Sequence, residues 1–446
     1  MKILVTPGRS LHGIVKLPGD KSLSHRAALF SALAEGKSEI RNFLVSGVTD
    51  AMLCCLAALG VSYRLEETTL VVEGVGLHGF ERPSSPLDCG NSATTLRLLA
   101  GALSESGTEA ILTGSPGLLR RPMDRIVEPL RQMKVPISTS PKRTAPLKLI
   151  ARKTGSKLSS LNYELPVASA QVKSCLLLAA LDAEGISMIS EPGPSRDHTE
   201  RMLAGMGVKI ITASRKVTVH PTDRLKPLEI QLPGDFSSAA FLIVAGLVTS
   251  DSEVVIKDVG LNPTRVGLLD VLQSMGAEIE IKVQPDQAGE PIGDLYVRSS
   301  RLKKSIVSGD LVVRMIDEFP IFTVAAAYAQ GESIVSEAVE LRYKESDRIT
   351  AMCQELSSVG GIVSETQDGF RIKGKKLQGG KIVDPRGDHR LAMALAVAGL
   401  ASEEAITINQ AEILSESFPE FLTILQALGA DIQICSDEPE DENTTG

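Results

Sequence analysis

The chain has 446 residues, and a prior of ~150 residues per domain allows two or three domains. Its 43% hydrophobic and 23% charged residues are typical of a globular protein and exclude global disorder. The net charge of −8 provides no global basic field for binding nucleic acid or a membrane surface. An anionic ligand would therefore have to be held by a local cluster of cations.

The six cysteines show neither a CxxC pair nor the Cys/His spacing of a zinc site, as in proteins whose thiols stay reduced in the cytosol. The sequence has no stretch of ~18 apolar residues, and MKILVTPGRS at its start lacks the apolar core of a signal peptide. We therefore expect a cytoplasmic protein that binds neither a membrane nor a metal. From Ser436 the chain is acidic and poor in apolar residues, which predicts a frayed tail.

A short polar turn followed by an Ala/Leu-rich helix recurs six times along the chain. The copies are, in chain order, LPGDKSLSHRAALFSAL from Leu17, DCGNSATTLRLLAGAL from Asp88, LPVASAQVKSCLLLAAL from Leu165, LPGDFSSAAFLIVAGL from Leu232, DEFPIFTVAAAYAQG from Asp317 and DPRGDHRLAMALAVAGL from Asp384. Each of these first helices is apolar on nearly every face, so each should be buried on every face. Aromatic residues make up only 3% of the chain and Trp is absent, which suits helices packed closely through small side chains.

Each copy continues with a small-residue turn, a short strand and a second, amphipathic helix. Five of these second helices end in glycine, which a left-handed C-cap prefers, and the other reaches Lys134. The glycines are Gly60, Gly207, Gly276, Gly360 and Gly429. A strand–helix–strand–helix–strand–strand unit of roughly seventy residues therefore explains the whole chain.

Six such units divide into two domains of three, with the apolar helices inside and the sheets outside. The two strongest LPGD copies, at 17–20 and 232–235, are where the chain would cross between the domains. We expect an α/β fold in which one lobe comprises residues 21–232 and the other comprises 1–20 together with 233–446.

Polar and charged residues cluster at the starts of the predicted helices, where free N–H groups and the helix dipole attract anions. Cations at these positions are unfavourable unless an anion binds between them, so the pattern predicts a small polyanionic ligand in a cleft between the lobes. The alternative is that each arginine merely caps a neighbour or pairs with an acid. The residues are Lys21, Ser22, Arg26, Asn91, Arg97, Arg120, Arg121, Ser169, Gln171, Lys173, Arg196, Asp317, Glu318, Lys344, Glu345, Arg348, Asp388, His389 and Arg390.

Nine short motifs carry most of these residues. They are LPGDKSLSHR at 17–26, GNSATTLR at 90–97, RRPM at 120–123, PVASAQVKS at 166–174, SRDHTE at 195–200, MIDEFP at 315–320, ELRYKESDR at 340–348, GDHRLAMA at 387–394 and SFPEF at 417–421. Together they resemble the 5-enolpyruvylshikimate-3-phosphate synthase family from about Leu17 to Phe421. The resemblance implies a two-domain inverse α/β barrel of six βαβαββ repeats with buried helices, three repeats per domain.

The resemblance also implies an activity and its substrates. The family transfers the carboxyvinyl group of phosphoenolpyruvate to the 5-hydroxyl of shikimate 3-phosphate and releases phosphate, in the shikimate pathway to chorismate and aromatic amino acids. Both substrates are small polyanions. No cofactor, metal or covalent enzyme intermediate is implied, and we expect the protein to act as a monomer.

Individual residues take roles from the same resemblance. Asp317 resembles the base near the attacking hydroxyl, Glu345 its partner in proton transfer, and Lys21 a catalytic contact of both substrates. Arginine suits the clamp on phosphoenolpyruvate because its planar fork binds carboxylate or phosphate through two bonds. The implied substrate-binding residues are Ser22, Arg26, Asn91, Ala93, Arg97, Ser169, Gln171, Arg196 and Lys344, and the clamp adds Arg121, Arg348 and Arg390. Without the resemblance, Asp317 and Glu345 could equally be capping residues of the helices that they precede.

Three positions depart from the family pattern. Position 93 is Ala where many members have Gly lining the phosphoenolpyruvate pocket, Glu416 stands where many have Lys, and Glu340 where some have Asn. Ala93 together with ASAQVKS at 168–174 resembles the glyphosate-insensitive bacterial branch. We therefore expect tolerance of glyphosate, which is a longer mimic of phosphoenolpyruvate.

Two other functions stay open. The related enolpyruvyl transferase that acts on UDP-N-acetylglucosamine usually carries a reactive Cys in an Arg-rich loop, whereas SPGLLRRPMDR at 115–125 has none. A DNA sliding clamp is also acidic and built from repeated α/β units, but it needs basic helix faces around its hole. The first helices here are apolar all round, so we expect no nucleic-acid partner.

Overall fold

The computed structural model describes residues 1–153, 155–287 and 289–435, so the acidic tail predicted from Ser436 lies outside the described residues. The helices are, in chain order, α1 (Lys21–Leu33), α2 (Gly47–Ala58), α3 (Ala93–Ser106), α4 (Asp124–Gln132), α5 (Ala170–Ala179), α6 (His198–Gly205), α7 (Phe236–Val248), α8 (Gly267–Ser274), α9 (Asp310–Arg314), α10 (Phe319–Ala327), α11 (Arg348–Ser358), α12 (His389–Ala401) and α13 (Phe421–Ala427). The strands are β1 (Lys2–Thr6), β2 (His12–Lys16), β3 (Glu35–Arg41), β4 (Ser62–Glu66), β5 (Thr69–Val75), β6 (Leu87–Asp88), β7 (Ala110–Thr113), β8 (Ile137–Ser138), β9 (Leu147–Leu149), β10 (Asn162–Glu164), β11 (Ser187–Ser190), β12 (Ile210–Ala213), β13 (Lys216–Val219), β14 (Glu229–Gln231), β15 (Glu253–Gly260), β16 (Glu278–Gln287), β17 (Glu290–Arg298), β18 (Ile306–Val307), β19 (Glu332–Val335), β20 (Ile362–Thr366), β21 (Gly369–Lys373), β22 (Ile382–Val383), β23 (Ile406–Ile408) and β24 (Asp431–Cys435).

Within the described residues the strands form six sheets of four. Their orders are β14-β3-β5-β4, β6-β7-β9-β8, β10-β11-β13-β12, β2-β15-β17-β16, β18-β19-β21-β20 and β22-β23-β1-β24. In the first of these sheets, Ile40 of β3 lies opposite Ile230 of β14 in parallel register and opposite Leu70 of β5 in antiparallel register. The other sheets repeat this arrangement, so the predicted α/β fold of βαβαββ units is confirmed.

The first helix of each unit is buried, as its apolar sequence predicts. Every residue of α7 from Phe236 to Leu247 is buried, and so is every residue of α12 from His389 to Leu400. Gly101 of α3 faces α5, and a Cβ at this position would lie 2.4 Å from the carbonyl oxygen of a cysteine in α5. Because interiors are close-packed, a larger residue at 101 would force these two helices apart.

The second helix of each unit ends two residues before the predicted glycine or, for α4, two residues before Lys134. Each of the five predicted glycines has a positive φ, between 86° at Gly60 and 108° at Gly429. Lys134 adopts the same left-handed conformation, with φ 65°, although this conformation costs a residue with a side chain about 1 kcal/mol. The end of α4 therefore keeps the geometry of the repeat without its glycine.

Within the described residues the buried apolar side chains form two clusters. One cluster is drawn from 23–232, and the other from 3–17 and 236–432. This division follows the two predicted lobes. The lobe boundaries, taken as limits of independently folding domains, stay a prediction.

The two LPGD segments lie antiparallel where the chain crosses between the lobes. The Asp20 N–H donates to the carbonyl of Pro233 at 2.9 Å, and the Asp235 N–H donates to the carbonyl of Pro18 at 3.1 Å. Each aspartate also caps the helix that follows it, α1 or α7. The buried guanidinium of Arg265 lies between the two carboxylates, 2.5 Å from Asp20 Oδ2 and 2.9 Å from Asp235 Oδ1.

Replacing Arg265 by Met should lower the free energy of unfolding by about 3–5 kcal/mol, because two buried carboxylates lose their cation. Urea unfolding at neutral pH measures this loss. The matched control is Arg298→Met, which removes an exposed pair with Glu253 at 3.0 Å and should change stability by less than about 1 kcal/mol. Equal losses of unfolding free energy in the two variants would show that the buried Arg265 pairs stabilise the fold no more than an exposed pair does.

Candidate active site

A cavity of about 640 Å³ lies between the two lobes and is lined by residues of both. Most of the predicted site residues line it. They are Lys21, Ser22, Asn91, Ala93, Arg97, Arg121, Ser169, Gln171 and Arg196 on one side and Asp317, Lys344, Glu345 and Arg390 on the other. Cations and acids from opposite lobes therefore face one another across a single space.

Helix N-termini present many of these side chains, as predicted. Lys21 and Ala93 are the first residues of α1 and α3, Ser169 is the N-cap of α5, and Arg390 is the second residue of α12. The first turns of these helices border the cavity, so their free N–H groups and dipoles favour an anion there.

Arg26 and Arg348 lie behind the cavity wall. Arg26 donates from Nε to Thr199 Oγ1 at 2.7 Å and from Nη2 to a serine hydroxyl of α5 at 2.8 Å, which joins α1 to α5 and α6. Arg348 is only 1% exposed and pairs with Asp388 at 2.8 Å and Glu345 at 2.7 Å. Both arginines position residues that line the cavity, and direct contact of either with a substrate stays a prediction.

Asp317 is surrounded by cations from both lobes. Its carboxylate lies 2.8 Å from Arg196, 3.5 Å from Arg348, 3.6 Å from Lys344 and 3.7 Å from Arg390. Burial alone would raise the pKa of Asp317, but Arg390, Arg196 and Lys344 outweigh it and hold the pKa well below its ordinary value. The carboxylate is therefore ionised at neutral pH.

Glu345 is held in the same way. Its two oxygens lie 2.8 Å from Arg121 of the opposite lobe and 2.7 Å from Arg348 of its own lobe. Burial works to raise the pKa of Glu345, and Arg348 and Arg121 outweigh it and hold the pKa well below its ordinary value. This acid too is ionised and paired across the cavity.

Neither of these acids caps a helix. The N-cap of α10 is Glu318, and the N-cap of α11 is Asp347, which accepts from the Thr350 N–H at 3.2 Å. The capping alternative for Asp317 and Glu345 is therefore wrong, and both carboxylates are available to the cavity.

Lys21 is held from the opposite lobe and has an unusually low basicity. Its backbone N–H donates to Asp235 Oδ2 at 2.9 Å. Burial, and then the charge of Arg390, lower the pKa of Lys21 from 10.5 to about 8.

His25 contacts the Lys21 carbonyl through Nδ1 at 2.8 Å and Ser92 Oγ through Nε2 at 3.2 Å, and burial lowers the pKa of this histidine to about 4. A neutral imidazole thus ties the start of α1 to the start of α3.

Some cavity residues were not predicted as site residues. Arg125 donates from both terminal nitrogens to the carboxylate of Glu340, at 2.8 and 3.0 Å, across the two lobes. The available signal was that Arg125 ends the arginine-rich loop 115–125. His389, which the sequence places at a helix start, and Glu416, which departs from the family pattern, also line the cavity, with 3.6 Å between Glu416 Oε2 and His389 Nδ1.

Residues 1–153, 155–287 and 289–435 contain neither a metal-binding cluster nor a membrane-spanning helix. No group of three or more His, Cys, Asp and Glu side chains in these ranges is placed to hold a metal ion. No helix in the same ranges combines the length and apolarity needed to cross a membrane.

Solved structures share this architecture. An EPSP synthase from Acinetobacter baumannii superposes with a TM-score of 0.87 at 39% identity, covering 98% of this chain and 100% of that chain. The enolpyruvyl transferase NikO from Streptomyces tendae superposes with a TM-score of 0.79 over 97% of this chain and 98% of its own, and at 19% identity this shows the fold alone. The fold is therefore that of an enolpyruvyl-transferase-like inverse α/β barrel.

Sequence comparison specifies the family. A family model described as EPSP synthase (3-phosphoshikimate 1-carboxyvinyltransferase) matches residues 5–425. Curated 3-phosphoshikimate 1-carboxyvinyltransferases from Synechococcus sp. (strain JA-3-3Ab) and Pelobacter propionicus are 46% and 45% identical, over 96% and 95% of this chain and 96% and 98% of their own lengths. The chain belongs to the EPSP synthase family, whose members are 3-phosphoshikimate 1-carboxyvinyltransferases. These matches do not favour the UDP-sugar alternative.

Anion binding should weaken above pH 8, because Lys21, with a pKa of about 8, loses its charge as the pH rises through that value. Sulfate is a suitable probe since its own charge is constant over this range. Calorimetric titration should give a dissociation constant that is steady below pH 8 and then rises toward about tenfold per pH unit. Lys21→Arg keeps its charge and should remove the rise. The same rise in this variant would assign the effect to another group.

Proposed function

We propose that this enzyme transfers the carboxyvinyl group of phosphoenolpyruvate to the 5-hydroxyl of shikimate 3-phosphate, releasing phosphate, as a cytoplasmic monomer of the shikimate pathway. One observation carries the proposal: two acids, each only 20% exposed, are each paired across the lobes with an arginine, Asp317 with Arg196 and Glu345 with Arg121. Substrate anions would compete for these arginines and release the acids for proton transfer. The free thiols of the six cysteines support the cytoplasmic location.

The arrangement of cations fits two polyanions. Arg121, Arg390 and Lys21 would hold phosphoenolpyruvate, while Arg196 and Lys344 would hold the phosphate of shikimate 3-phosphate. Each arginine presents a planar fork to carboxylate or phosphate, and each lysine acts as a point charge. The same cations would stabilise the negative charge that remains on the departing phosphate.

Substrate binding would also adjust the basicity of Asp317. Its pKa is low because Arg390, Arg196 and Lys344 overcome the effect of burial. When substrate anions share these cations, the carboxylate loses part of its stabilisation and burial raises its pKa. Asp317 then becomes a better base for the 5-hydroxyl, and Glu345 changes in the same direction once Arg121 turns to phosphoenolpyruvate.

The chemical steps follow from these positions. The 5-hydroxyl oxygen forms a bond to C2 of phosphoenolpyruvate as its proton passes to Asp317. The group formed by Lys21 and Glu345 supplies a proton to the methylene carbon, which becomes a methyl group in the tetrahedral adduct. That methyl group returns a proton to the same group as the C–O bond to phosphate breaks. The proton held by Asp317 passes to the departing phosphate, so every enzyme group regains its starting charge and no bond to the enzyme is formed.

Phosphate release tests the proposed function. The enzyme should release phosphate only when both substrates are present, and Asp317→Asn and Glu345→Gln should each lower kcat by at least about 10²-fold. Arg298→Met serves as the control and should keep the wild-type rate. Release of phosphate with UDP-N-acetylglucosamine as the acceptor, or binding of duplex DNA without turnover, would contradict the proposal and favour one of the two alternatives.

We further propose that the enzyme tolerates glyphosate. Ala93 is buried to 2% exposure at the first position of α3 and lines the cavity. Its methyl group takes up space where many family members have Gly. A longer mimic of phosphoenolpyruvate would lose more binding energy from this narrowing than phosphoenolpyruvate itself.

Replacing Ala93 by Gly should lower the inhibition constant for glyphosate by about tenfold or more, the effect of one methyl group in a fitted pocket. The KM for phosphoenolpyruvate should change less. Thermal unfolding of the variant checks for the loss of about 0.5–1 kcal/mol that glycine brings to a helix. An unchanged inhibition constant in the folded variant would rule out Ala93 as the cause of tolerance.

A further inference from the structure

Two ion pairs connect the same two segments across the cavity. Arg121 lies just before α4, and Arg125 is the second residue of α4 and ends the segment 115–125. Their partners belong to the opposite lobe: Glu340 lies on the short helix Val339–Tyr343, and Glu345 lies just after it. The Arg121–Glu345 pair has one contact at 2.8 Å. The Arg125–Glu340 pair has two hydrogen bonds, at 2.8 and 3.0 Å.

The proposed function requires the first pair to separate. Arg121 is to bind phosphoenolpyruvate and Glu345 is to take part in proton transfer, so neither can stay engaged with the other throughout the reaction. When they part, one of the ties between the two segments is lost. Glu345 then depends on its remaining contacts for its position.

The second pair has no such conflict, because the proposed function assigns neither Arg125 nor Glu340 a role in binding or proton transfer. The two parallel hydrogen bonds between a guanidinium and a carboxylate are the strongest form of this interaction. The side chains are 27% and 31% exposed, so water screens them only in part. The hydrogen bonds from Glu340 also raise the pKa of Arg125.

We propose that Arg125 and Glu340 form a cross-lobe latch, a positioning pair that keeps the segment 339–345 against the segment 115–125 while Arg121 and Glu345 engage the substrates. The inference rests on the proposed function, which supplies the reason for the first pair to part. The latch acts on the placement of Glu345 and not on a substrate. Its loss should therefore lower kcat more than it changes either KM.

A further cross-lobe pair at the same cavity offers a matched control. Arg215 donates to both oxygens of Asp310 at 2.9 and 3.0 Å, and both residues line the cavity. These side chains are 52% and 56% exposed and lie on other segments. Exposed pairs contribute little, so Arg215→Gln should leave both kcat and KM within about twofold of the wild-type values.

The experiment is a double-mutant cycle with Arg125→Gln, Glu340→Gln and the double variant, read in kcat and in both KM values. Each single variant should lower kcat by about tenfold, which corresponds to about 1.4 kcal/mol. The double variant should be no slower than either single variant, because each change already removes the whole interaction.

Several outcomes would overturn the latch. A double variant about a hundredfold slower than wild type would show that the two residues act independently. A lower KM for phosphoenolpyruvate in Glu340→Gln would show that Arg125 is a substrate ligand restrained by Glu340. A decrease in kcat in Arg215→Gln equal to that in Arg125→Gln would show that any ion pair across the cavity has the same effect.

The same four proteins also separate this inference from the proposed function. Absence of phosphate release by the wild-type enzyme would contradict the proposed function, and the cycle would then be read in melting temperatures without substrate. Decreases in melting temperature of about 2 °C in Arg125→Gln and in Glu340→Gln that do not add in the double variant would support the latch. Additive shifts would overturn it.

Discussion

The fold depends on one junction, at which a single buried guanidinium holds the capping carboxylates of two helices from different lobes. Two carboxylates this close would be unfavourable in the interior without Arg265 between them. Burial works to raise the pKa of Asp235, yet the nearby cation holds it at about 2. Lys21 follows Asp20 directly and donates its N–H to Asp235. The start of α1, and with it one wall of the cavity, is therefore placed by the opposite lobe.

The charges inside the cavity also need partners of opposite sign. Four buried helices, α1, α3, α5 and α12, direct their N-terminal ends toward one region that also holds several cations, in a protein whose net charge is −8. Uncompensated charges in such a space are unfavourable, and Asp317 and Glu345 compensate arginines of the opposite lobe. Under the proposed function, substrate anions would replace these acids as partners of the arginines. Occupancy of the cavity and the basicity of the two acids would thereby be linked, and proton transfer would be favoured only when both substrates are bound.

Features of the repeat could be predicted from the sequence because they are local. An apolar helix must be buried, and a helix followed by Gly60 ends there whatever lies around it. Contacts between lobes could not be predicted, since Arg125 and Glu340 are 215 residues apart and meet only through the orientation of the lobes. Whether a side chain reaches the cavity could not be predicted either. Arg26 lies one helical turn from Ser22, which lines the cavity, yet its guanidinium donates to the Ser22 carbonyl.

The departures from the family pattern become intelligible through their partners. Glu340 forms the bidentate pair with Arg125, whereas Glu416 has only His389 at 3.6 Å. In the part of the chain that the structure describes, neither ring nitrogen of His389 has a hydrogen-bond partner, and burial lowers its pKa although Glu416 opposes this. A neutral imidazole beside an acid replaces the fixed cation of many relatives. Under the proposed function, the clamp would then rely on the bidentate geometry of its arginines more than on total charge. The methyl group of Ala93 would narrow the same cavity, so the residues at 93 and 416 would both favour the shorter of two similar anions.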